Sequence, residues 1–261
     1  MLTKENYFTN PDYLHSSQIR DYIESPLLYK LRYIDKHPDY QFKQSSAVIV
    51  GTIVDELLTE GKTRFSKKVL KRDNPEKYAE QQECPDFIAT DTQWENATRI
   101  AEQLPNHPVW KTLTEEVEFQ KIVEGEIDGM KVCGKIDGST PHFNWDLKCT
   151  QESRARSSTA WYWHTKDLKY HIPASVYTHL DDGDKPFYHL VCYLKNGLLQ
   201  VKLYEVPAKM IADGMSDVLW ALGGIKEGYF KQKLTTFEDL EVIPWGEGIV
   251  EEVKEVEDDE F

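Results

Sequence analysis

Three short runs that alternate apolar and polar side chains follow one another between residues 117 and 148, and they constrain the fold more than any other feature of the chain. The runs cover 117–124, 130–136 and 142–148, with glycine-bearing breaks at 125–129 and 138–141. Alternation with period two marks a strand, and short Gly-rich breaks mark hairpins, so a meander is expected here. Two further strands are expected at 187–194 and 199–206, joined through Lys195-Asn196-Gly197. Asn-Gly supplies the two positive φ angles of a tight hairpin turn. Helical spacing of apolar residues fills the rest: 15–34, 46–60, 92–104, 107–114, 157–180, and a last helix opened by Pro207. Ser16 or Ser17 is the expected N-cap of the first helix, and Ser25-Pro26 should break it in two. Residues 61–91, basic and then polar, read as a long excursion. The order of helices, three strands, a helix, two strands and a helix predicts a mixed α/β fold with one central sheet.

At 261 residues the chain can bury a core without staples. No apolar run approaches the ~20 residues a membrane span needs, and the first ten residues lack the basic-then-apolar layout of a signal peptide. The four cysteines sit at wide, unrelated spacings, with no zinc-type cluster and no ladder for an iron–sulfur centre. A membrane protein, a secreted disulfide scaffold and a disordered chain are thereby excluded, and a cytoplasmic protein is expected. The net charge of −14 is unevenly spread: residues 236–261 carry −10 of it, which leaves only −4 on the remaining 235 residues. Residues 62–72 hold six bases and no acid. A nucleic-acid partner depends on such distribution, not on the total.

The chemically informative segment is Gly134-Lys135-Ile136-Asp137-Gly138, followed by Asn144-Trp145-Asp146-Leu147-Lys148. Alternate strand residues share a face, so Asp146 and Lys148 point the same way, and the hairpin brings Asp137 beside them. Two carboxylates and an ammonium at one sheet end suit a hard cation such as Mg²⁺, which takes one or two carboxylates together with waters and phosphate oxygens. The cation polarises a phosphodiester, and the lysine orients the attacking water or neutralises developing charge. A solvated hairpin with an ion pair would show the same letters by chance. Val132, Ile136, Phe143, Trp145 and Leu147 argue for buried strands instead, where charges need a partner or a metal.

These motifs resemble the PD-(D/E)XK nuclease superfamily, in its RecB/RecE-like, phage-type exonuclease branch. The resemblance rests on Gly134-Lys135-Ile136-Asp137, on Asp146-Leu147-Lys148, on the Ser16-Ser17 and Ser25-Pro26 positions, and on the segment from Tyr170 to Tyr177. It covers 15–205 in element order. It implies a restriction-endonuclease-like core, an α/β fold whose central mixed sheet is flanked by helices. It also implies a Mg²⁺- or Mn²⁺-dependent deoxyribonuclease, with Asp137 and Asp146 as metal ligands and Lys148 on the attacking water. Digestion of duplex DNA ends, 5′→3′, in recombination, a single-strand annealing or single-strand-binding protein as partner, and a homo-oligomer are further implications.

The chain departs from the family pattern at Gly51-Thr52-Ile53-Val54-Asp55, where the family carries a metal-binding histidine in place of Asp55. An aspartate oxygen is an acceptable ligand and favours Mg²⁺ or Mn²⁺; an exposed helical acid is the other reading. The family's glutamine is replaced by His171 or Pro173. Glu118 is either a further ligand or a rim acid. Arg154, Arg156 and Lys166, with Tyr177, are the expected DNA contacts, since Arg and Lys grip phosphates and aromatics stack on bases. Residues 62–72 are either a DNA-gripping loop or a solvated face. One nuclease domain is expected over 1–235, with an N-terminal helical part and a basic insertion near 61–91. An acidic, flexible tail is expected over 236–261; its phenylalanine-ended tip reads as a protein-binding tail, a DNA mimic, or a solubilising one. Two other classes stay open: a catalytically silent, DNA-binding or DNA-mimicking relative, and an endonuclease of the same superfamily.

Overall fold

The computed structural model describes residues 2–230 apart from 4, 5, 71, 182 and 183, and the acidic tail lies outside the described residues. The expected meander is there, longer than its alternation suggested. β4 (Glu118–Ile127) and β5 (Met130–Ser139) pair along their whole length through a turn at Asp128-Gly129, both with positive φ (49° and 72°). Asp-Gly satisfies the same turn rule as the Asn196-Gly197 pair, which has φ of 51° and 76°. That second turn joins β7 (Phe187–Lys195) to β8 (Leu198–Glu205). β6 (Asn144–Cys149) lies between the two hairpins, antiparallel to β5 and parallel to β7. A two-residue strand that the sequence did not announce, β1 (Leu14–His15), runs parallel to β5 at Val132 and Cys133. The result is a six-stranded mixed sheet.

A parallel neighbour requires a long crossover. Between β6 and β7 it is supplied by α7 (Glu152–Ala155), α8 (Ser158–Asp167) and α9 (His171–Asp181). The single helix expected over 157–180 is therefore two, interrupted where Lys169 takes a φ of 53°. α9 packs with α1 (Ser16–Glu24) and α10 (Ala208–Lys226) on one face of the sheet, around Ile19, Tyr22, Ile136, Ile172 and Leu222. α3 (Ser46–Glu60), α5 (Asp91–Gln103) and α6 (Pro108–Leu113) cover the other, around Ile53, Leu104, Trp110, Trp145 and Leu190.

The N-cap of α1 is His15 and not a serine: its backbone N–H donates to Gln18 Oε1 at 2.8 Å, while Ser16 is already helical and bonds Tyr177. Ser25 does interrupt the helix, its hydroxyl accepting the Leu28 N–H at 3.2 Å to cap α2 (Pro26–Tyr29). The excursion at 61–91 has structure of its own, a small parallel pair of β2 (Ser66–Lys67) with β3 (Ile88–Ala89) and the helix α4 (Pro75–Glu83). Among the described residues no helix is long and apolar enough to cross a membrane.

Candidate active site

The site is made by a defect in the sheet. β5 and β6 are laddered only at Gly138↔Trp145 and Ser139↔Asn144, and beyond those pairs the strands part. Glycine is required at the pivot, because a Cβ on Gly138 would lie 2.0 Å from the Trp145 indole. Gly134 is needed for the same reason on the other face, where the Tyr177 ring would stand 2.2 Å from its Cβ. Both glycines of the Gly-Lys-Ile-Asp-Gly segment thus answer to aromatic packing. In the opened wedge the Asp137 carboxylate replaces the missing ladder bond, accepting the Leu147 N–H at 2.7 Å.

Trp145 and Leu147 point into the core on one side of β6, so Asp146 and Lys148 share the other. They form an ion pair with each other, and the Lys148 ammonium sits 4.7 Å from the centroid of the Tyr170 ring. From α3, Asp55 turns toward the same place, and the Gln120 amide bridges it to Asp137, at 2.8 Å to Asp55 Oδ1 and 3.5 Å to Asp137 Oδ1. All of these groups line one cleft of about 900 Å³.

The charges are strongly interdependent. Burial, then the nearby Asp146 and Asp55 carboxylates, push Asp137 well above its ordinary value. Burial would raise Asp146 too, but the Lys148 ammonium and a hydrogen bond with Asp137 hold it below the usual carboxylate range. Burial opposes the charge on Lys148, yet Asp146 and then Asp137 keep its pKa above the ordinary lysine value, so it is an ammonium and a donor, not a base. Asp55 is pushed up to about 6, first by burial, with Lys135 opposing and Asp146 adding to the rise. Behind Asp146, in register with it on β7, His189 is held down to about 3 by burial and by Lys148. It is neutral at pH 7, and its Nδ1 accepts the Trp161 indole N–H at 3.2 Å.

Asp146 raises the proton affinity of both Asp137 and Asp55, so the group is short of positive charge, and its donors are all oxygen, the class a hard divalent cation takes. Among the described residues no three His, Cys, Asp or Glu side chains are grouped so as to hold an ion by themselves. Asp137 and Asp146 are the close pair, which meets the one or two carboxylates Mg²⁺ requires.

Of the residues expected from sequence, Asp55, Asp137, Asp146 and Lys148 come together in the cleft. The others do not. Glu118 is exposed, outside the cleft wall, because a left-handed φ of 56° at Gln120 breaks the alternation that would have carried it inward. Tyr177 is buried, packed on Gly134 with its hydroxyl accepting from Ser16 at 3.2 Å, so it offers no ring to DNA. Arg154 and Arg156 are exposed and Lys166 is half-buried, and none of the three lines the cleft. The basic residues that do line the cleft are Arg20, Lys43, Arg64, Lys135, Lys148 and Lys169. Of the 62–72 segment, Arg64 reaches it, held by Glu56 at 2.8 Å. Gln120 and His189 escaped the sequence reading: one depends on a backbone angle and the other on strand register. Tyr170 was read there as part of a motif and as one of the aromatics that follow β6.

Among solved structures, a candidate exonuclease from Eubacterium rectale shares this fold, with a TM-score of 0.65 and 18% identity over 88% of each chain. An alkaline exonuclease from Laribacter hongkongensis (TM-score 0.37, 13% identity, 87% of this chain and 94% of that one) is similar at a lower level. So is a phage-related exonuclease from Haemophilus somnus (0.37, 13%, 84% and 93%). Among curated proteins nothing matches the chain. Residues 16–227 match the model of a family described as a PDDEXK-like domain of unknown function, DUF3799. That span holds the split strands, the three aspartates and the lysine, and the chain belongs to this PDDEXK-like family.

Proposed function

We propose that the protein is a metal-dependent DNA exonuclease that hydrolyses phosphodiester bonds at duplex ends. The observation that carries this reading is the grouping of the Asp137–Asp146 pair and the Lys148 ammonium where β5 and β6 part, in one cleft with Asp55. Asp137 and Asp146, with Asp55 beside them, would hold a Mg²⁺ or Mn²⁺ ion, which would supply positive charge to polarise the phosphoryl group. Lys148, kept cationic by Asp146, donates to the attacking water and to the charge that develops on the phosphate. Tyr170 and Asp146 hold that ammonium in place from two sides. The Leu147 N–H fixes Asp137, so the pair is oriented before substrate arrives.

The strand is gripped by the cleft's own wall. Arg20, Lys43, Arg64, Lys135 and Lys169 offer phosphate contacts, and the exposed rings of Phe8 and Phe42 offer stacking faces for unpaired bases. Polarity from the 5′ end, a role in recombination, an annealing-protein partner, a homo-oligomer and a cytoplasmic location complete the reading, on the strength of the family resemblance.

The test is incubation with linear and with covalently closed duplex DNA, with Mg²⁺ and with EDTA. Linear DNA should disappear only with Mg²⁺, circles should survive, and Asp146→Ala and Lys148→Ala should be inert while folded. Cutting of circles would support an endonuclease. Inertness of the wild type with both Mg²⁺ and Mn²⁺ would support the catalytically silent relative.

A further inference from the structure

Gln120 is a buried polar residue in the middle of β4 with a φ of 56°. Non-glycine residues avoid that region, and inside a strand it breaks the pleat. The other non-glycine residues with positive φ among those described, Lys36, Glu116, Asp128, Lys169 and Asn196, lie in turns or between elements. Nor does the conformation serve strand pairing. The register Phe119↔Gly138 and Lys121↔Ile136 continues on both sides of Gln120 with no residue inserted, so there is no bulge to accommodate. What the twist achieves is visible at the side chain: Nε2 faces Asp55 Oδ1 at 2.8 Å and Asp137 Oδ1 at 3.5 Å. An amide nitrogen has two hydrogens, and here there are two carboxylates to receive them. The carbonyl end would be repelled by both, so the amide has one sensible orientation.

We infer that Gln120 is a positioning residue that fixes the Asp55 carboxylate of α3 against Asp137 of β5, so that both face the cation the cleft would hold. Asp55 and Asp137 belong to different elements and repel each other. Asp137 is held at Oδ2 by the Leu147 N–H, and the Gln120 amide donates to its Oδ1 and to Asp55 Oδ1, tying the α3 carboxylate to that fixed group. Strain kept at such a point marks a residue retained for what its side chain does. The inference rests on the metal-dependent reading above and sharpens it.

Binding of Mn²⁺ to the free protein, followed by calorimetry or by its spin resonance, provides a readout independent of cleavage. Gln120→Leu keeps the volume and removes the donor, and should weaken Mn²⁺ by about 10- to 100-fold, the usual scale for losing a group that orients a ligand. Gln120→Gly removes the donor and accepts the φ freely, so it should weaken Mn²⁺ equally while keeping or raising the Tm. A residue needed only for folding would show the opposite pattern. Gln120→Leu combined with Asp55→Asn should bind Mn²⁺ no worse than Asp55→Asn alone. Wild-type Mn²⁺ affinity in Gln120→Leu, or additive losses in the double variant, would overturn the inference, as would a wild type that binds no Mn²⁺. A wild type that binds Mn²⁺, loses it on Gln120→Leu, and cleaves no DNA would instead overturn the nuclease reading and leave the positioning role intact.

Discussion

Asp55→Asn should make the protein more stable and less useful, and the size of the gain follows from the cleft. The Asp55 carboxyl moves from an ordinary 3.8 to about 6 because it is buried and has Asp146 nearby, against the partial relief of Lys135. At 1.36 kcal/mol for each tenfold change in proton affinity, ionising it in the folded state at pH 8 costs roughly 3 kcal/mol. Asparagine removes that cost and still offers an oxygen to the Gln120 amide. A folded-state pKa raised above the unfolded one stabilises only while the proton stays on, so wild-type stability falls as pH climbs from about 4 through about 6. The asparagine variant lacks this loss. Its advantage should be small at pH 4 and full by pH 7 to 8, where about 3 kcal/mol corresponds to roughly 6–12 °C in Tm for a domain of this size. Denaturation scans of both proteins at pH 4.5 and pH 8 give the comparison, and millimolar Mg²⁺ at pH 8 should close much of the gap by stabilising only the wild type. Equal Tm values at pH 8, or the same gain at both pH values, would refute the account of Asp55 as a buried acid that its neighbours compensate only in part.

Lys148→Met keeps the apolar stem beside Tyr170 but leaves Asp146 without its cation; cleavage should fall at least about 100-fold, and urea denaturation should show a loss of up to ~3–5 kcal/mol, the scale for breaking a buried pair. Gly138→Ala puts a methyl group 2.0 Å from the Trp145 indole; the stability loss should be about 1–3 kcal/mol, read as a lower Tm. Phe8→Ala removes a ring that is 73% exposed at the cleft wall; binding of a single-stranded or frayed end should weaken by ~1–3 kcal/mol with little change in Tm, and unchanged affinity would remove Phe8 from the DNA contacts.

What could be read from the letters and what could not divide along a physical line. The hairpins were legible because Asn196-Gly197 and the alternation of the meander are local, and so was the break at Ser25-Pro26. The grouping of Asp137, Asp146 and Lys148 was legible because strand period and a short hairpin determine it almost without tertiary information. Asp55 arrived through a family pattern and then proved to face the same cleft. The errors came where a long-range contact decides. Tyr177 looked like a surface aromatic, but its ring is what the bare Gly134 accommodates. Glu118 was placed by alternation, which Gln120 interrupts with a backbone angle no propensity announces. Arg154 and Arg156 follow β6 in sequence, yet the crossover carries them past the cleft, and its basic wall comes from Arg20, Lys43, Arg64, Lys135 and Lys169, scattered along the chain.

The parting of β5 from β6 has a consequence for how much a substrate must do on arrival. Two adjacent strands left apart expose backbone at the heart of a sheet, a state that a flexible protein would reach only by tearing its own ladder. Here the indole of Trp145 lying across Gly138 acts as a fixed wedge, and the Asp137 bond to Leu147 braces the far side. The opening is therefore built during folding, and none of the binding energy is diverted to making it.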